Sequence, residues 1–580
     1  SVLKVEKKSY NEDIYNLLLQ KHNTTIARIL SDRIENIEQI EGFINPKIKN
    51  LLPHINNFKD GEVAIELMYN KIQNNEKICI IGDYDVDGSC STALIINFFQ
   101  EIGFKNYTFI IPDRVLDGYG PNNKMITEKQ KEGVSLFVIV DCGTVAFEPI
   151  ALAKSMNIDV IVLDHHKSEE KLPNALIVNP NRKDEKEVRE DLKYLCACGV
   201  VFVFLAGLNQ KLTQEKKVDL IKFLPIVAIA TVCDVVPLIG VNRAIVKTGL
   251  EILNKHKFEN ENKPVYKLLE IANCIAEKIN SYHIGFIIGP MINAGGRIGQ
   301  SFLGATLLSS KNDAEIEQIA QQLFNFNTER KEIEANILQQ IKNQNMEEKI
   351  NQTGFVLEHS HKWHEGVIGI IASRVKDSFH RLSMIGFLAE ESGIVKFSCR
   401  SVTGIDIGEL IIEALNKQIL LKGGGHAMAG GFSIHHNKLN EFSSFLQEKI
   451  KTKAEELYQN RAIYYDIAIS IDGLSVNMIT ELENTLEPYG MKNFKPVFLV
   501  QNCQIVMYSI LKEKHLRILL QDEISKKQIW VVSFNSINTD LGTYIMSNKG
   551  KNIDFLADIS TDVYNGEKKL NIIIKYCILK

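Results

Sequence analysis

The hydrophobic positions in the first half of the chain form short apolar runs, and each run leads to an acidic residue. The runs and the acids that follow them are residues 79–81 with Asp83, 136–140 with Asp141, 159–163 with Asp164, and 224–230 with Asp234. All four runs are predicted to be strands. The intervening residues 91–101, 122–132 and 149–156 have the length and pattern of helices. Alternating strands and helices predict a parallel sheet with right-handed crossovers.

The first acidic cluster has an unusual spacing. Asp83, Asp85 and Asp87 occupy alternate positions, so an extended backbone would project all three carboxylates to one side. Such carboxylates repel one another unless a cation lies between them, and hard divalent ions prefer oxygen ligands. An Asx-rich turn or a calcium-type loop would give the same residue types. Taken alone, the triplet favours a metal site over those alternatives only modestly.

The other acidic residues strengthen the metal hypothesis. The carboxyl ends of parallel strands lie at one edge of a sheet, where open α/β sheets bind their ligands. Asp141, Asp234 and the sequence Asp164-His165-His166 should therefore meet the acidic triplet at this edge. Several carboxylates with an imidazole match the requirements of two divalent ions. The sequence predicts a two-metal site.

These motifs carry a family resemblance. Asp83-Tyr84-Asp85-Val86-Asp87-Gly88, Val140 to Thr144 and Leu163 to His166 resemble successive motifs of the DHH phosphoesterase superfamily. Within it, the chain is similar to the RecJ family over most of its 580 residues. Further matching segments are residues 111–114, 118–120, 198–200, 230–237, 293–297, 363–370 and 423–426. Two positions depart from the family pattern, because Met291 stands where an Arg is common and residues 488–496 match only approximately.

The resemblance implies a role for each residue of the metal site. One ion would be held by Asp83, Asp85 and Asp141. The other would be held by Asp87, Asp141, His165 and Asp234, so that Asp141 bridges the two ions. Asp164 would orient an imidazole, and His166 would donate to a phosphate oxygen or the leaving group. Manganese is expected to be preferred and magnesium possible.

The resemblance also implies a set of phosphate and DNA contacts. Ser398 and Arg400, with Arg114, would bind the terminal 5'-phosphate, since an Arg fork and hydroxyl groups match phosphate oxygens. Arg297 would contact the strand near the metals. Arg374 is a weaker candidate, because a surface ion pair explains it equally well. Gly424, Gly425 and His426 follow Gly423 in a run that lets a strand approach backbone amides closely.

The pattern along the chain divides it into five parts. These are an adaptor (1–60), the DHH metal domain (61–310), a long connecting helix (311–350), a second α/β domain (351–457) and a β-barrel of the oligonucleotide-binding type (462–580). Five β-rich runs support the barrel, namely 464–471, 497–506, 516–520, 528–534 and 570–574. The predicted fold class is therefore α/β with an OB-type domain at the end.

Composition places few further limits on function. A hydrophobic fraction of 45% and a charged fraction of 24% are ordinary for a globular protein. The net charge of -4 requires any DNA-binding basic surface to be local. The ten cysteines show no Cys-x-x-Cys pairs, which favours reduced thiols, and no segment has the pattern of a membrane span or signal peptide. A cytoplasmic protein is expected.

The resemblance implies a 5'-to-3' exonuclease on single-stranded DNA that releases 5'-mononucleotides in DNA repair and recombination. A single-stranded-DNA-binding protein and a helicase are implied partners, and a monomer without membrane contact is expected. Barrel aromatics such as Tyr508, Trp530 and Phe534 would stack on bases.

One alternative function is that of a small-molecule phosphoesterase that hydrolyses pyrophosphate, oligonucleotides or cyclic dinucleotides. Another is a catalytically silent DNA-binding or scaffold protein, which the complete set of metal ligands makes improbable.

Overall fold

The computed structural model describes residues 3–114 and 117–579. They form two compact units. The larger unit contains residues 5–293 and 301–320 together with the segment from 463 onward, and the smaller unit contains residues 294–300 and 321–462 with the described residues before Val5. No helix among the described residues combines the length and apolar character needed to cross a bilayer.

The first elements along the chain are a short strand and four short helices, which are β1 (Lys4–Lys7), α1 (Glu12–Leu18), α2 (Thr24–Leu30), α3 (Gln39–Ile44) and α4 (Ile48–Leu51). All of them from Val5 onward belong to the larger unit. Asn11 and Asn23 begin α1 and α2, because each side chain accepts hydrogen bonds from backbone amides of the first turn. The apolar faces of α1 and α2 are buried.

The metal domain alternates strands and helices. Its elements are α5 (Gly61–Gln73), β2 (Lys77–Ile81), α6 (Val86–Glu101), β3 (Tyr107–Ile110), α7 (Asn123–Lys131), β4 (Val134–Val140), α8 (Phe147–Ser155), β5 (Asp159–Leu163) and β6 (Leu176–Val178). The sheet order is β3-β2-β4-β5-β6, and every pair is parallel. The predicted parallel α/β sheet is confirmed, and β2, β4 and β5 all end at the same edge.

A helical layer follows the sheet. It contains α9 (Ala197–Gln210), α10 (Leu224–Cys233), α11 (Gly240–Lys255), α12 (Lys263–Ile271), α13 (Ser281–His283), a π-helical turn (Ile284–Ile288), α14 (Gly289–Ala294) and α15 (Leu303–Ser309). The strand predicted at residues 224–230 is wrong, because this segment is the helix α10. All of its residues from Leu224 to Thr231 are buried, so no polar face marks a helical period, and Pro225 lies in its first turn.

The predicted connecting helix is interrupted. It consists of α16 (Asp313–Lys342) and α17 (Met346–Thr353), separated by a turn in which Asn345 has a left-handed backbone (φ 53°). The smaller unit continues with β7 (Val356–Ser360), α18 (Ile368–Phe379), β8 (Ser383–Ala389), β9 (Ile394–Arg400), α19 (Ile407–Asn416), β10 (Lys422–Gly425), β11 (Ala429–His435) and α20 (Leu439–Gln459). Its sheet order is β10-β11-β9-β8-β7, and only β7 and β8 are parallel.

The last part of the chain is a closed barrel. Its elements are β12 (Ala462–Tyr465), β13 (Ile467–Ser470), α21 (Val476–Leu486), β14 (Val497–Leu511), β15 (His515–Asp522), β16 (Gln528–Ser533), α22 (Asp540–Ser547), β17 (Asn552–Tyr564) and β18 (Glu567–Leu579). The order β14-β15-β16-β18-β17 closes because β17 also pairs with β14. The OB-type barrel is confirmed, but β17 was missed, and the predicted first strand is outside the closed ring because β13 pairs with β14 only.

The barrel shares its core with the beginning of the chain. Ile14, Leu18 and Ile26 belong to the same buried cluster as Phe498 and Phe555 of the barrel. This single core explains why the first helices, which are short, are stable where they lie. The segment predicted to be a separate adaptor therefore packs on the barrel.

Arg243 of α11 ties the metal domain to both of these parts. Its guanidinium is fully buried, lies 4.0 Å over the ring of Phe43 and donates to the Phe43 carbonyl oxygen at 2.8 Å. Its other donors reach four carbonyl oxygens in the last turn of α21 and just after it, those of Thr485 (3.3 Å), Leu486 (2.9 Å), Glu487 (3.2 Å) and Pro488 (3.5 Å). Burial lowers the pKa of Arg243 to about 10. Peptide dipoles at a helix C-terminus stabilise this cation in place of a carboxylate.

Candidate metal centre

The acidic triplet lies at the junction of β2 and α6. Asp83 follows the strand, Asp85 caps the helix by accepting the Gly88 amide at 2.7 Å, and Asp87 lies in the first helical turn. The expectation that all three carboxylates share one extended segment is therefore wrong. Gly88 is required here, because a Cβ at this position would lie 2.3 Å from the Asp83 carbonyl oxygen. The turn directs Asp87 away from its two neighbours and towards the next group of ligands.

Asp141 follows β4 in a left-handed conformation with φ 59°. This backbone is unfavourable for a residue with a Cβ, and such strain is concentrated at functional sites. One carboxylate oxygen, Oδ1, lies 3.2 Å from Nε2 of His165. The other, Oδ2, is buried and has no hydrogen-bond partner. A buried carboxylate oxygen without a donor has an open coordination position.

The His165 imidazole connects Asp141 to two further carboxylates. Its Nε2 lies 3.4 Å from Oδ2 of Asp87 and 3.8 Å from Oδ2 of Asp234. Asp234 reaches this position because it ends α10 rather than a strand. Four sequence-distant segments thus meet at the carboxyl edge of the sheet.

Asp87 is held by the N-terminus of α9. Its two carboxylate oxygens accept the amides of Ala197 at 2.9 Å and Cys198 at 2.8 Å. These are the first amides of a 14-residue helix, so the helix dipole also stabilises the negative charge. This contact fixes Asp87 without using a cation.

Among the residues that the structure describes, the ligand-capable atoms form three compact groups, in each of which they lie within 4.8 Å of one another. These groups are Asp83, Asp85 and Asp141; Asp87, His165 and Asp234; and Asp141, Asp164, His165 and His166. The first two correspond to the predicted ligand sets, with Asp141 close to both. The structure therefore brings all six predicted ligands together.

The cluster is electrostatically unfavourable in the absence of cations. Burial, followed by the charge of Asp85, raises the pKa of Asp83 to about 7. Burial and the charges of Asp87 and Asp85 raise the pKa of Asp234 to about 9. Burial also raises the pKa of Asp85 and, with neighbouring carboxylates, holds the pKa of Asp141 well above its usual range. Positive charge is needed to keep these groups ionised together.

Asp164 and His166 form a separate hydrogen-bonded pair. Nδ1 of His166 lies 2.7 Å from Oδ1 of Asp164, and the Thr144 hydroxyl donates to Oδ2 of Asp164 at 2.6 Å. Burial opposes ionisation of Asp164, but the His166 and Thr144 contacts outweigh it and lower its pKa. Burial lowers the pKa of His166, while the bond and charge of Asp164 outweigh this effect and raise it to about 9. In the metal-free site the half-exposed His166 is therefore a protonated donor at neutral pH.

Two asparagines that the sequence analysis missed hold this pair in place. The Asn179 amide donates to the Thr144 hydroxyl at 3.0 Å and to the His166 carbonyl at 2.8 Å. Asn181 donates to the His165 carbonyl at 2.6 Å. Asn179 directly follows β6, so the same rule that identified the acids, a polar residue after an apolar strand, would have found it.

A cavity of about 440 Å³ opens beside these residues, and Asp83, Asp85 and His166 contribute to its wall. Arg114, on the same wall, donates to the Tyr84 hydroxyl at 2.6 Å, and the Tyr119 hydroxyl donates to the Asp141 carbonyl at 3.0 Å. The cavity is large enough for a nucleotide-sized group, and its wall carries both a cation and hydrogen-bond donors.

The predicted phosphate-binding residues of the smaller unit lie around the start of α18. Ser398 and Arg400 lie on β9, and a Cβ at Gly369 would be 3.2 Å from the Ser398 hydroxyl and 3.3 Å from Arg400 Nη2. Arg400 also donates to the Cys399 carbonyl at 2.8 Å. Gly424, Gly425 and His426 are exposed at and just after β10.

The two remaining arginine candidates have protein contacts within the smaller unit. Arg297 donates to the Gly366 carbonyl at 2.6 Å. Arg374 pairs with buried Glu334 at 3.5 Å, which is the ion pair that the sequence analysis kept as an alternative. Glu334 itself is buried, at 2% exposed, and it also binds Arg330.

Comparisons with known proteins agree with this architecture. Residues 77–231 match the DHH family N-terminal domain, residues 351–452 the DHHA1 domain and residues 465–576 the RecJ OB domain. The crystal structure of RecJ with Mn²⁺ from Thermus thermophilus superposes with a TM-score of 0.78 at 22% identity, covering 100% of this chain and 80% of that one. A structure of exonuclease RecJ bound to manganese gives 0.55 at 27% identity, covering 69% and 95%.

Full-length relatives show the same similarity. The single-stranded-DNA-specific exonuclease RecJ of Escherichia coli is 30% identical over 544 residues, which are 91% of each chain. The RecJ of Haemophilus influenzae is 30% identical over 570 residues, which are 96% of this chain and 97% of that one. With the three domains in order and this coverage, the chain belongs to the RecJ family of the DHH phosphoesterases.

Proposed function

We propose that this protein is a metal-dependent exonuclease that degrades single-stranded DNA from the 5' end and releases 5'-mononucleotides. The observation that carries the proposal is the meeting of six carboxylate and imidazole ligands at the carboxyl edge of the parallel sheet. Relatives whose names specify a single-stranded-DNA-specific exonuclease align with more than nine-tenths of this chain. The direction of digestion and the product are the parts of the proposal that the experiment below tests.

The ligand atoms fit two divalent cations. The buried Asp141 Oδ2 has no donor, and the neighbouring carboxylates have pKa values raised by burial and mutual repulsion. Asp83, Asp85 and Asp141 would hold one ion, and Asp87, Asp141, His165 and Asp234 the other. Bound there, the two ions supply Lewis-acid activation of water and neutralise charge on the scissile phosphate. We infer a preference for manganese, with magnesium also accepted, because an imidazole joins the carboxylates.

The other residues of the site act on protons and phosphate. Asp164, fixed by Thr144, keeps His166 protonated and oriented, so His166 can donate to a phosphate oxygen or to the leaving group. Arg114 and the Tyr84 hydroxyl would contact the nucleotide in the neighbouring cavity. This assignment makes Asp141, Asp164 and His166 the catalytic candidates.

In the smaller unit, Ser398 and Arg400 would bind a DNA phosphate at the first turn of α18, where helix amides favour an anion. The exposed glycine strand with His426 would follow the DNA backbone. We further infer that Arg297 contacts the DNA strand. Arg374 is a weaker candidate for a DNA contact, because its charge is neutralised by Glu334. The five domain boundaries expected from the sequence remain part of this proposal.

The test is digestion of a single-stranded oligonucleotide labelled at either end, with manganese. Wild-type protein should shorten the strand stepwise from the 5' end and act more slowly when the 5'-phosphate is missing. Asp141→Ala should reduce digestion below detection, because both ion sites lose a ligand. Asp159→Ala is the matched control, since this half-exposed aspartate lies at the opposite end of β5 from Asp164 and pairs with Lys71 and Lys154.

Three outcomes would contradict the proposal. Blunt duplex DNA cut as fast as single strands would contradict the strand specificity. Loss of label from the 3' end first would contradict the direction. Hydrolysis of pyrophosphate or dinucleotides without cleavage of longer DNA would assign the protein to small-molecule phosphoesterases.

We also propose that the protein acts as a monomer and that it cooperates in the cell with a helicase and a single-stranded-DNA-binding protein.

A further inference from the structure

Two aromatic rings are exposed on the surface of the larger unit, just before α14. Tyr282 is 60% exposed and Phe286 is 69% exposed. Their ring centroids lie 4.9 Å apart, and the planes differ by 28°, so the rings stack on each other. The alternate residues Ile284 and Ile288 are fully buried. The segment therefore has an ordinary apolar inner face and an aromatic outer face that no part of the described chain covers.

The backbone that carries the stacked pair is held rigidly by hydrogen bonds. The Asn280 side chain accepts the amides of Tyr282 at 3.0 Å and His283 at 3.4 Å, and Nδ1 of His283 accepts the Asn280 amide at 3.0 Å. The following turn, Ile284–Ile288, is π-helical, a geometry that recurs at functional sites. A rigid backbone reduces the conformational entropy that is lost when a ligand stacks on the rings.

The turn that carries the two rings packs against the segment that contains the metal ligand Asp234. The Cys233 thiol donates to the Ile284 carbonyl at 3.7 Å, and Cys233 immediately precedes the metal ligand Asp234. Gly289 makes the contact possible, because a Cβ there would lie 2.7 Å from the Cys233 sulfur. The π-helical turn therefore packs against the end of α10, which carries Asp234.

The same segment lies near the barrel. Lys278, three residues before α13, pairs with the carboxylate of Glu487 at 3.8 Å, and Glu487 directly follows α21 in the barrel segment. The exposed pair thus belongs to a segment of the larger unit that contacts the Asp234 end of the metal centre through Ile284 and the residue after α21 through Lys278. A strand that extends from the metal ions to the barrel would pass over this surface.

We propose that Tyr282 and Phe286 form a stacking platform for a base of the single-stranded substrate, at a distance from the bond that is cut. The proposal rests on the exonuclease function proposed above. Every base has a flat π face, so a stacked aromatic pair binds single strands without selecting a sequence. A rigid pair of rings gives this grip while leaving the chemistry to the metal site.

The test measures binding of a 5'-phosphorylated 20-nucleotide strand by fluorescence anisotropy, in an Asp141→Ala background that does not degrade it. Tyr282→Ala and Phe286→Ala should each raise the Kd about 5- to 100-fold, the range expected for loss of one stacked base. Phe286→Tyr should bind like the parent, because the ring is kept. Phe258→Ala is the matched control, since this ring is 87% exposed on a different turn.

A second series separates stacking from general damage. A window of four abasic positions is moved along the strand, and the effect of Phe286→Ala is measured for each window. At one window the abasic strand should already bind weakly, and Phe286→Ala should add less than a twofold change. Full additivity at every window, or an unchanged Kd in both alanine variants, would overturn the platform. The wild-type protein, which retains Asp141, is tested separately for digestion of single strands. If it does not digest them, the proposed function is overturned instead.

Discussion

At the level of single residues, the metal centre combines rigid positions with unfavourable charge. The α9 amides fix Asp87 and the Gly88 amide fixes Asp85, so these carboxylates do not rearrange to relieve repulsion. Asp141 adds a left-handed backbone and a buried oxygen without a donor. The site is thus arranged for cations before they bind, and the metal-free protein is destabilised by that arrangement.

This charge arrangement predicts how the stability of the metal-free protein depends on pH. The raised pKa values of Asp83 (about 7) and Asp234 (about 9) mean that the folded state holds protons that the unfolded state releases above about pH 4. His166, also raised to about 9, acts in the same direction above about pH 6.5. In EDTA, the free energy of unfolding should therefore fall as the pH rises from 5 to 9.

Thermal unfolding in EDTA and in manganese, measured across this pH range, checks the prediction. Manganese should raise the Tm most at high pH, because it binds the ionised carboxylates. Asp234→Asn is the informative variant, since in EDTA it should lose less stability between pH 7 and 9 than the wild type does. A metal-free Tm that rises steadily from pH 5 to 9 would contradict the charge assignment.

Sequence reasoning identified the charged residues of the site because acids after apolar strands are visible in a single sequence. It could not show that Asp85 and Asp87 diverge at a helix start, since that depends on the backbone after β2. Asn179 was missed because only acids and histidines were considered after the apolar strands, although it directly follows β6, and Asn181 carries no such signal. Their role, holding the His165 and His166 carbonyls, exists only in the folded chain.

At the level of elements, helix and strand were distinguished where one face is polar and confused where none is. Buried α10 was mistaken for a strand because its continuous apolar sequence has no period. The strand β17 was not predicted at all, although its buried residues Ile553, Phe555 and Ala557 lie at alternate positions, as expected for a strand. Asp554, Asp558 and Asp562 lie within that strand, and aspartate is disfavoured in strands.

The packing of α18 against β9 gives an element-level prediction. Gly369→Ala would place a Cβ about 3.2 Å from the Ser398 hydroxyl and 3.3 Å from Arg400 Nη2, so both side chains must shift. If these side chains bind a DNA phosphate, the KM for 5'-phosphorylated single strands should rise several-fold, on the order of 10-fold for one displaced charge-assisted contact. The kcat should change little because the metal ligands are in the other unit.

Gly42→Ala is the control for that variant, because a Cβ at position 42, in α3, has no atom within 4 Å and the residue has no proposed DNA contact. It should keep the wild-type KM for the same strand. Digestion assays over a range of substrate concentrations, with circular dichroism to verify folding, compare the two variants. An equal KM for Gly369→Ala and wild type would argue against a phosphate contact at Ser398 and Arg400.

At the level of the whole molecule, Arg243 connects the metal domain, the first helices and the barrel. Arg243→Met would remove a buried cation and leave the carbonyl oxygens of Phe43, Thr485 and Glu487 without this donor. The carbonyl oxygens of Leu486 and Pro488 would still accept from Asn493. We expect a loss of at least about 3 kcal/mol in the free energy of unfolding, as for other broken buried polar networks. Trp530 is a reporter for the barrel, because in a Trp363→Phe background it is the sole tryptophan of the chain.

Guanidinium unfolding followed by Trp530 fluorescence measures this loss. Lys247→Met, one turn further along α11, is the control, because the half-buried Lys247 donates to a single carbonyl, that of Ile44. Its cost should be below about 1 kcal/mol, in the range of one hydrogen bond. An Arg243→Met variant as stable as Lys247→Met would show that the carbonyl cluster does not hold the three parts together.

The core shared by the first helices and the barrel also has a consequence for biosynthesis. The apolar residues between Ile14 and Ile34 leave the ribosome early, whereas their partners begin at Ile471. At about 5 to 20 residues per second, the early segment waits on the order of 20 to 90 seconds for its partners to be made. During that interval its leucines and isoleucines face water, and a chaperone that covers short apolar segments would protect the nascent chain from aggregation.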